Sequence, residues 1–539
     1  MPMVQPEPGL GRMTTVFDLV EQHGHRQEAI YAISTATSAT ITFGELRKTC
    51  RHMAAGLRAM GMSPGDTVSL VMPNGLQTLR VLLGAMHAGY CVNPVNLLSQ
   101  PEQMRYVLEH SDCGLVVTCP EWAGRVAAAS AGMGRTIRVV VLSADGSAGE
   151  LLESFPAGPD DVAEASAARA DPAPTATATT TALLMYTSGT TGVPKGVLLT
   201  QANLAANALA ISQEHDLRNT DRVLAVLPLH HINAFAVTML APLARGGSLA
   251  MAPKFSAAQF WQLAVDMRCT WLNVVPTIVS YLLEGIAPPR ESLARIRFCR
   301  SASAALPPEH HIAFEARFGI GIVETMGLTE TVAPAFSNPL AASLRKVGSV
   351  GRASGGQAMV VDAALIPVAA GVTGELVIRG PHVMSGYYKN PEATRAAFTP
   401  DGWLRTGDLG HCDADGYYFV TGRIKELIIK GGENIAPREV DEVLLSHPSV
   451  LEAAAVGIPD RHYGQEIMAC VVLRTGATGD VESLRAFCIE HLGRYKTPSV
   501  FRFVESLPRG PSGKVQRLKL VDLVEGGAPR GVVGGSFSA

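Results

Sequence analysis

Tyr186-Thr187-Ser188-Gly189-Thr190-Thr191-Gly192-Val193-Pro194-Lys195-Gly196 is the stretch on which the fold of this chain turns. It follows an apolar run, residues 181–186, that reads as a buried strand, and it leads into a second strand at 196–199. Two hydroxyl pairs, Thr187-Ser188 and Thr190-Thr191, alternate with Gly189 and Gly192. Glycine lets a backbone approach a phosphate closely, and the freed N–H groups and hydroxyls then donate to its oxygens. Lys195 adds a point charge. The loop is not a Walker A motif, which needs Gly-Lys-Ser/Thr in direct succession, because Val193 and Pro194 separate Gly192 from Lys195. Composition alone also fits a flexible hydroxyl-rich turn.

On either side the pattern is mixed α/β. Thr42-Phe43-Gly44-Glu45 forms a capping box that opens a helix to about Met60, and residues 67–72 form an apolar strand. Residues 157–180, rich in Ala, Asp, Pro and Thr without period, read as a surface loop. Thr200 is placed to cap the next helix. Apolar strands at 223–229, 248–252 and 271–275 alternate with helical patterns, which favours a layered α/β architecture. Near Gly422 the texture changes. An aromatic strand at 417–420 is followed by the charged Arg423-Ile424-Lys425-Glu426. A helix from about Pro437, a strand near 468–473, a helix from about Val481 and a strand near 500–504 then make a small α+β unit. The expected boundary is 421/422, dividing residues 1–421 from 422–539. The Gly/Ser-rich tail after Gly526 is expected to be mobile.

With 539 residues, 47% of them apolar, the chain can build large cores, and its net charge of −3 gives no basic field for nucleic acid. Anionic cofactors must therefore be held by local sites. Nine scattered cysteines show neither C-x-x-C nor metal spacing and read as reduced thiols. The N-terminus lacks the basic and apolar regions of a signal peptide, and no apolar run reaches the ~20 residues of a membrane span. A cytoplasmic enzyme is expected.

The glycine–hydroxyl loop closely resembles the signature loop of the adenylate-forming superfamily, which includes acyl-CoA synthetases, the adenylation domains of peptide synthetases, and firefly luciferase. The match continues in order from about Thr42 to Lys514. The resemblance implies a large multi-lobed α/β N-terminal adenylate-forming domain and a small, mobile α+β C-terminal domain. It also implies ATP, Mg²⁺ and coenzyme A as cofactors. Met326-Gly327-Leu328-Thr329-Glu330 resembles the family's Tyr-Gly-x-Thr-Glu motif, so Glu330 would hold Mg²⁺ and Thr329 would touch a phosphate. Met326 departs from the aromatic residue that usually packs on adenine, although a thioether can cover a ring face. In Trp403-Leu404-Arg405-Thr406-Gly407-Asp408, Asp408 would accept from the ribose hydroxyls. In Gly422-Arg423-Ile424-Lys425-Glu426, Arg423 would reach ribose or phosphate and Lys425 would be the hinge; Gly431 and Gly432 would approach the pantetheine of CoA. Lys514, in Pro508-Arg509-Gly510-Pro511-Ser512-Gly513-Lys514, matches the catalytic lysine that bridges the substrate carboxylate and the α-phosphate.

The acyl pocket is expected around Leu227-Pro228-Leu229-His230-His231-Ile232-Asn233-Ala234, where His231 takes the place of a pocket histidine and His230 stands beside it. Amino-acid-activating relatives usually carry an aspartate in this motif, and none is present here. Arg300-Ser301-Ala302-Ser303-Ala304 should line the nucleotide and acyl cleft beside Glu324 and Thr325. Thr325 stands where members with long tunnels often have glycine and should narrow the pocket. Arg300-Ser301-x-Ser303, Ser337-Asn338-Pro339-Leu340 and Lys346-Val347-Gly348-Ser349-Val350-Gly351 resemble the branch containing oxalyl-CoA synthetases, which suggests a short acid, an anionic one included. Alternatively, Arg300 simply pairs with Glu324 or another acid.

The implied mechanism is attack of a carboxylate on the α-phosphate of ATP, rotation of the small domain about Lys425, and thiolysis of the acyl-adenylate by CoA. An exposed Gly-Lys loop at Lys514 would also suit a lysine acetyltransferase, and a homodimer is a further expectation. Two other functions fit parts of the sequence. A stand-alone adenylating enzyme would load a carrier protein instead of CoA. A non-catalytic nucleotide or acyl-CoA sensor would release no pyrophosphate with any acid, which the presence of Lys514, Glu330 and Asp408 argues against.

Overall fold

The computed structural model describes residues 15–157, 176–187, 194–509 and 515–522. The described residues fall into two compact units. The first is drawn from Met1–Gly371, Val377–Thr406 and Cys412–Phe419, the second from Val372–Leu376, Gly407–His411 and Val420–Ala539.

Two sheets organise the first unit. One runs Gly386–Tyr387, Lys195–Thr200, Thr181–Thr187, Cys91–Pro94, Thr67–Val71, Leu115–Thr118, Arg138–Val141. The other runs Arg352–Ala353, Phe336–Ser337, Ile322–Met326, Phe298–Ser301, Trp271–Val274, Arg222–Ala225, Ser248–Met251, Ile30–Ser34, Thr40–Thr42. From Ile322–Met326 to Ile30–Ser34 every pairing is parallel. Parallel strands are covered on both faces, so they read as short continuous apolar runs. The helices start where the sequence predicts. Thr42 and Glu45 exchange the reciprocal bonds of a capping box at the head of Phe43–Ala59, and Thr200 does the same with Asn203 for Gln201–Glu214. The strand expected at 223–229 ends at Ala225, because buried Asn74 accepts from the Leu229 N–H and donates to the Leu227 carbonyl, bending the segment away from the ladder.

The second unit is built on the hairpin Val450–Asp460 and Gly464–Leu473, with Ile428–Lys430, Glu433–Ile435 and Val500–Phe503 completing its sheet. Strand alternation splits its core in two. Ile467, Ala469 and Val471 pack with Val440, Leu444, Leu484 and Cys488 of helices Pro437–Leu445 and Val481–Lys496. Met468, Cys470 and Val472 pack with Leu507 and Leu520 on the other face. The strand Val450–Asp460 was not anticipated, and Gly464–Leu473 begins earlier than expected.

All nine cysteines are free thiols. No helix among the described residues is long and apolar enough to cross a membrane. Residues 158–175 of the expected surface loop, and the tail after Gly526, lie outside the described residues.

Candidate active site

The strands flanking the phosphate loop are partners in one antiparallel ladder, with Thr187 opposite Lys195 and Tyr186 opposite Gly196. Ser188, Gly189, Thr190 and Thr191 lie outside the described residues, so the structure defines only the neck of their loop. A Cβ at Gly196 would come within 2.7 Å of the Leu184 side chain and 3.2 Å of the Tyr186 ring. Glycine there leaves room for that ring, whose hydroxyl reaches His110 Nδ1 at 2.7 Å.

From the neck, a line of polar groups runs to Glu330. Lys195 Nζ stands 5.0 Å over the Tyr387 ring centroid. Tyr387 lies on the edge strand Gly386–Tyr387, which pairs antiparallel with Lys195–Thr200. Its O–H donates to Glu330 Oε1 at 2.8 Å. Burial, then the Glu330 charge, push the phenol far above its ordinary range, so it remains a donor. Sequence reasoning misses Tyr387; the available signal was the aromatic pair Tyr387-Tyr388 directly after Gly386.

The Glu330 turn is fixed from several sides. Leu328 N–H donates to Thr331 Oγ1 at 3.0 Å across the short helix Thr329–Thr331. Buried Asn207 donates to the Thr331 and Pro334 carbonyls, each at 2.9 Å. Met384 N–H donates to the Glu330 carbonyl at 2.8 Å. Met326 and Thr329 are half-buried beside this turn in sequence, and Glu324 and Thr325 are buried on the preceding strand.

Arg300 is wholly buried. Its Nη1 donates to Asn233 Oδ1 at 2.6 Å and Asn273 Oδ1 at 2.8 Å. Asn273 also donates to Asn233 Oδ1 at 3.3 Å, and Asn233 to Ser303 Oγ at 3.1 Å. Arg300 does not pair with Glu324, as the sequence allowed. It stands opposite Val323, whereas Glu324 stands opposite Ser301, so the two side chains leave opposite faces of the sheet. Glu324 Oε1 accepts from the Leu306 N–H at 3.1 Å. Burial pulls the Arg300 pKa down to about 9, which leaves it a cation at neutral pH. Ser301 and Ala302 are buried, and Ser303 holds a left-handed φ of 77°, strained for a residue with a side chain. Asn233 was quoted in the pocket motif without a role, and Asn273 was missed, since an asparagine inside an apolar strand carries no periodic signal.

The His230 and His231 rings lie against each other with centroids 4.3 Å apart and planes tilted by 58°, just before the π-helix Asn233–Leu240. His230 Nε2 is shielded and without a partner. Burial, then neighbouring His231, hold His230 neutral.

In the second unit, Asp408 is buried and Arg423 Nε sits 2.6 Å from its Oδ1, so the expected ribose ligand is held by the arginine expected to reach ribose or phosphate. Gly431 and Gly432 form the two-residue turn between Ile428–Lys430 and Glu433–Ile435, with φ of 56° and 86°. Both values require the left-handed region, which is why paired glycines occur there. Lys425 lies in the short helix Ile424–Glu426. Lys514 lies outside the described residues, but its loop is closed by the bridge Arg509↔Val515 and by Gln516 N–H to the Pro508 carbonyl at 2.8 Å. Downstream, Arg517 joins Asp441 (2.7 Å), Glu426 (3.3 Å) and the Ala455 carbonyl (2.6 Å), an anchor that sequence reading did not find.

The comparisons agree over nearly the whole chain. The family described as AMP-binding enzyme matches residues 17–388, and the AMP-binding enzyme C-terminal domain matches 439–514. The sulfoacetate–CoA ligase of Cupriavidus necator is 56% identical over 492 residues, 91% of this chain and 94% of that protein. The oxalate–CoA ligase of Arabidopsis thaliana is 35% identical over 491 residues, 90% of this chain and 94% of that one. The crystal structure of ATP-bound MatB from Rhodopseudomonas palustris matches with a TM-score of 0.86 and 30% identity, over 95% of this chain and 99% of that one. With the adenylate-forming fold, a large N-terminal and a small C-terminal domain, this chain belongs to the AMP-binding enzyme family.

Proposed function

We propose that this enzyme activates a short carboxylic acid bearing a second anionic group, with sulfoacetate as the first candidate. The reaction class follows from the family: an ATP-dependent, AMP-forming acid–thiol ligase makes an acyl-adenylate and then an acyl-CoA thioester. The observation that carries the choice of acid is the cluster of buried polar side chains around Arg300. Asn233, Asn273, Arg300 and Thr325 occupy positions that would have to be hydrocarbon to receive an apolar tail. The sulfoacetate–CoA and oxalate–CoA ligases among its relatives support the same reading.

On this reading the loop from Thr187 through Ser188–Thr191 to Lys195 receives the departing pyrophosphate. The Lys195–Tyr387–Glu330 line gives that polyanion a cation at one end and an oriented carboxylate at the other. Glu330, its carboxylate oriented by the Tyr387 O–H, would hold Mg²⁺. Bound there, Mg²⁺ neutralises charge on the triphosphate. Asp408, oriented by Arg423, accepts from the ribose, and Lys514 lowers the repulsion between the carboxylate and the α-phosphate. We place the functional boundary at 421/422, with Lys425 as hinge and the Gly431–Gly432 turn serving the CoA step.

The test is a panel of acids scored by pyrophosphate release, with the nucleotide product identified. Sulfoacetate, oxalate and malonate should exceed acetate, aromatic and medium-chain acids in kcat/KM, and AMP should be the product. ADP in place of AMP would end the proposal, and a preference for uncharged acids would remove its substrate half.

A further inference from the structure

Arginine carries five N–H donors. In Arg300 the two Nη1 bonds go to carboxamide oxygens, and Nε and Nη2 are buried with no partner. No carboxylate among the described residues pairs with this guanidinium. By contrast, the half-buried Arg517 is met by Asp441 and Glu426. Arg300 has only neutral neighbours: Asn233 and Asn273 orient it without offsetting its charge. His215, the nearby titratable group, is neutral or cationic and so cannot offset it; burial and then Arg300 hold its pKa down to about 3, so it stays neutral.

The unused edge has a definite chemistry. Nε–H and one Nη2–H lie parallel on one side of the guanidinium and match two oxygens of a carboxylate or sulfonate. Because the asparagines grip Nη1, that edge is aimed before any ligand arrives. Arg300 sits next to the C-terminal end of its strand, where open parallel sheets bind ligands. Thr325 lies on the same sheet face, one strand over and about 7 Å further along. Its hydroxyl is likewise buried without a partner.

We propose that Arg300, oriented by Asn233 and Asn273, binds the distal anionic group of the substrate through its Nε/Nη2 edge and sets the preference for short acids with two negative groups. This rests on the substrate reading above and adds the residue responsible. The asparagines matter because they are not aspartates: a carboxylate at 233 would consume the charge that the substrate needs.

The experiment measures kcat/KM for sulfoacetate and for propionate with the full-length enzyme and the variants R300M and N233D. Losing one partner of a buried charge pair lowers affinity by roughly 30- to 5,000-fold, so the sulfoacetate/propionate ratio should fall by a factor in that range in R300M. In N233D it should fall at least about tenfold, because the new carboxylate competes for the guanidinium. N233D is nearly isosteric and supplies Arg300 with a counter-charge, so its melting temperature should hold or rise, which keeps the test valid even if R300M fails to fold. A wild-type preference for sulfoacetate that survives within threefold in the folded variants would overturn the Arg300 assignment alone. A wild type that prefers propionate would instead overturn the substrate reading, and this assignment with it.

Discussion

Replacing Arg517 by methionine removes the one cation paired with Asp441 among the described residues while keeping the aliphatic stem. The side chains of Arg517 and Asp441 are 16% and 11% exposed, so solvent screens the pair weakly. Arg517 is bidentate to Asp441 at 2.7 and 3.2 Å, and Asp441 also accepts from the Ala455 N–H at 2.6 Å. Breaking a buried pair by removing one partner costs about 3–5 kcal/mol, because the other charge is left uncompensated. The sign of the pH dependence follows from Asp441. Burial holds its carboxyl above the usual range even though Arg517 pulls it down, so loss of Arg517 drives it higher. A carboxyl whose pKa is raised on folding binds its proton more readily in the native state, so stability falls as pH rises through the window from about 3.9 to the native value. The deficit of the variant should therefore be largest near pH 8 and shrink toward pH 5. Native-state hydrogen exchange in Pro437–Leu445 and Val450–Asp460, corrected for intrinsic rates, reads this directly. The double variant R517M/D441N should recover much of the loss. A deficit under about 1 kcal/mol at pH 8, well below the 3–5 expected for such a pair, or one independent of pH, would refute the claim that this pair anchors the base of the lysine loop.

Three further outcomes are expected. Lys514→Ala should abolish adenylate formation yet largely spare thioester formation from supplied acyl-adenylate; equal loss of both half-reactions contradicts the role given to Lys514. Tyr387→Phe removes the donor to Glu330, and a hydrogen bond to a charged group is worth about 1.5–3 kcal/mol, so KM for Mg·ATP should rise about 10- to 100-fold. An unchanged KM would show that Tyr387 only packs. Gly432→Ala forces a side chain onto a backbone with φ of 86°, a strain of roughly 1–2 kcal/mol, and should slow the CoA step more than adenylation in half-reaction assays. A uniform slowing would argue against a place for this turn in thioester formation.

What could be read from residues in order, and what could not, divides along the range of the interactions. The helix start at Thr42 was legible because the bonds that make it join residues three apart. The end of the strand at Ala225 was not, since Asn74, about 150 residues upstream, captures the segment that follows. The strand Val450–Asp460 contains an alanine run, Ala453-Ala454-Ala455, that suits a helix equally well. Its state is decided by the partner Gly464–Leu473, where tertiary pairing overrides local propensity. The same distinction governs the site. Motif order made Glu330, Asp408 and Lys195 readable as candidates, because each belongs to a short run with its own signature. Arg300 was visible as a residue, but its meaning was not: beside Glu324 it is an ordinary ion pair, and away from it an unclaimed charge. The choice depends on parallel register. Had the strands slipped by one residue, Arg300 and Glu324 would share a face and could neutralise each other. With Arg300 opposite Val323, the acid is turned to the far side, and the guanidinium is left with two carboxamides and an open edge. A buried cation left uncompensated in this way gains most from a ligand that brings the missing negative charge.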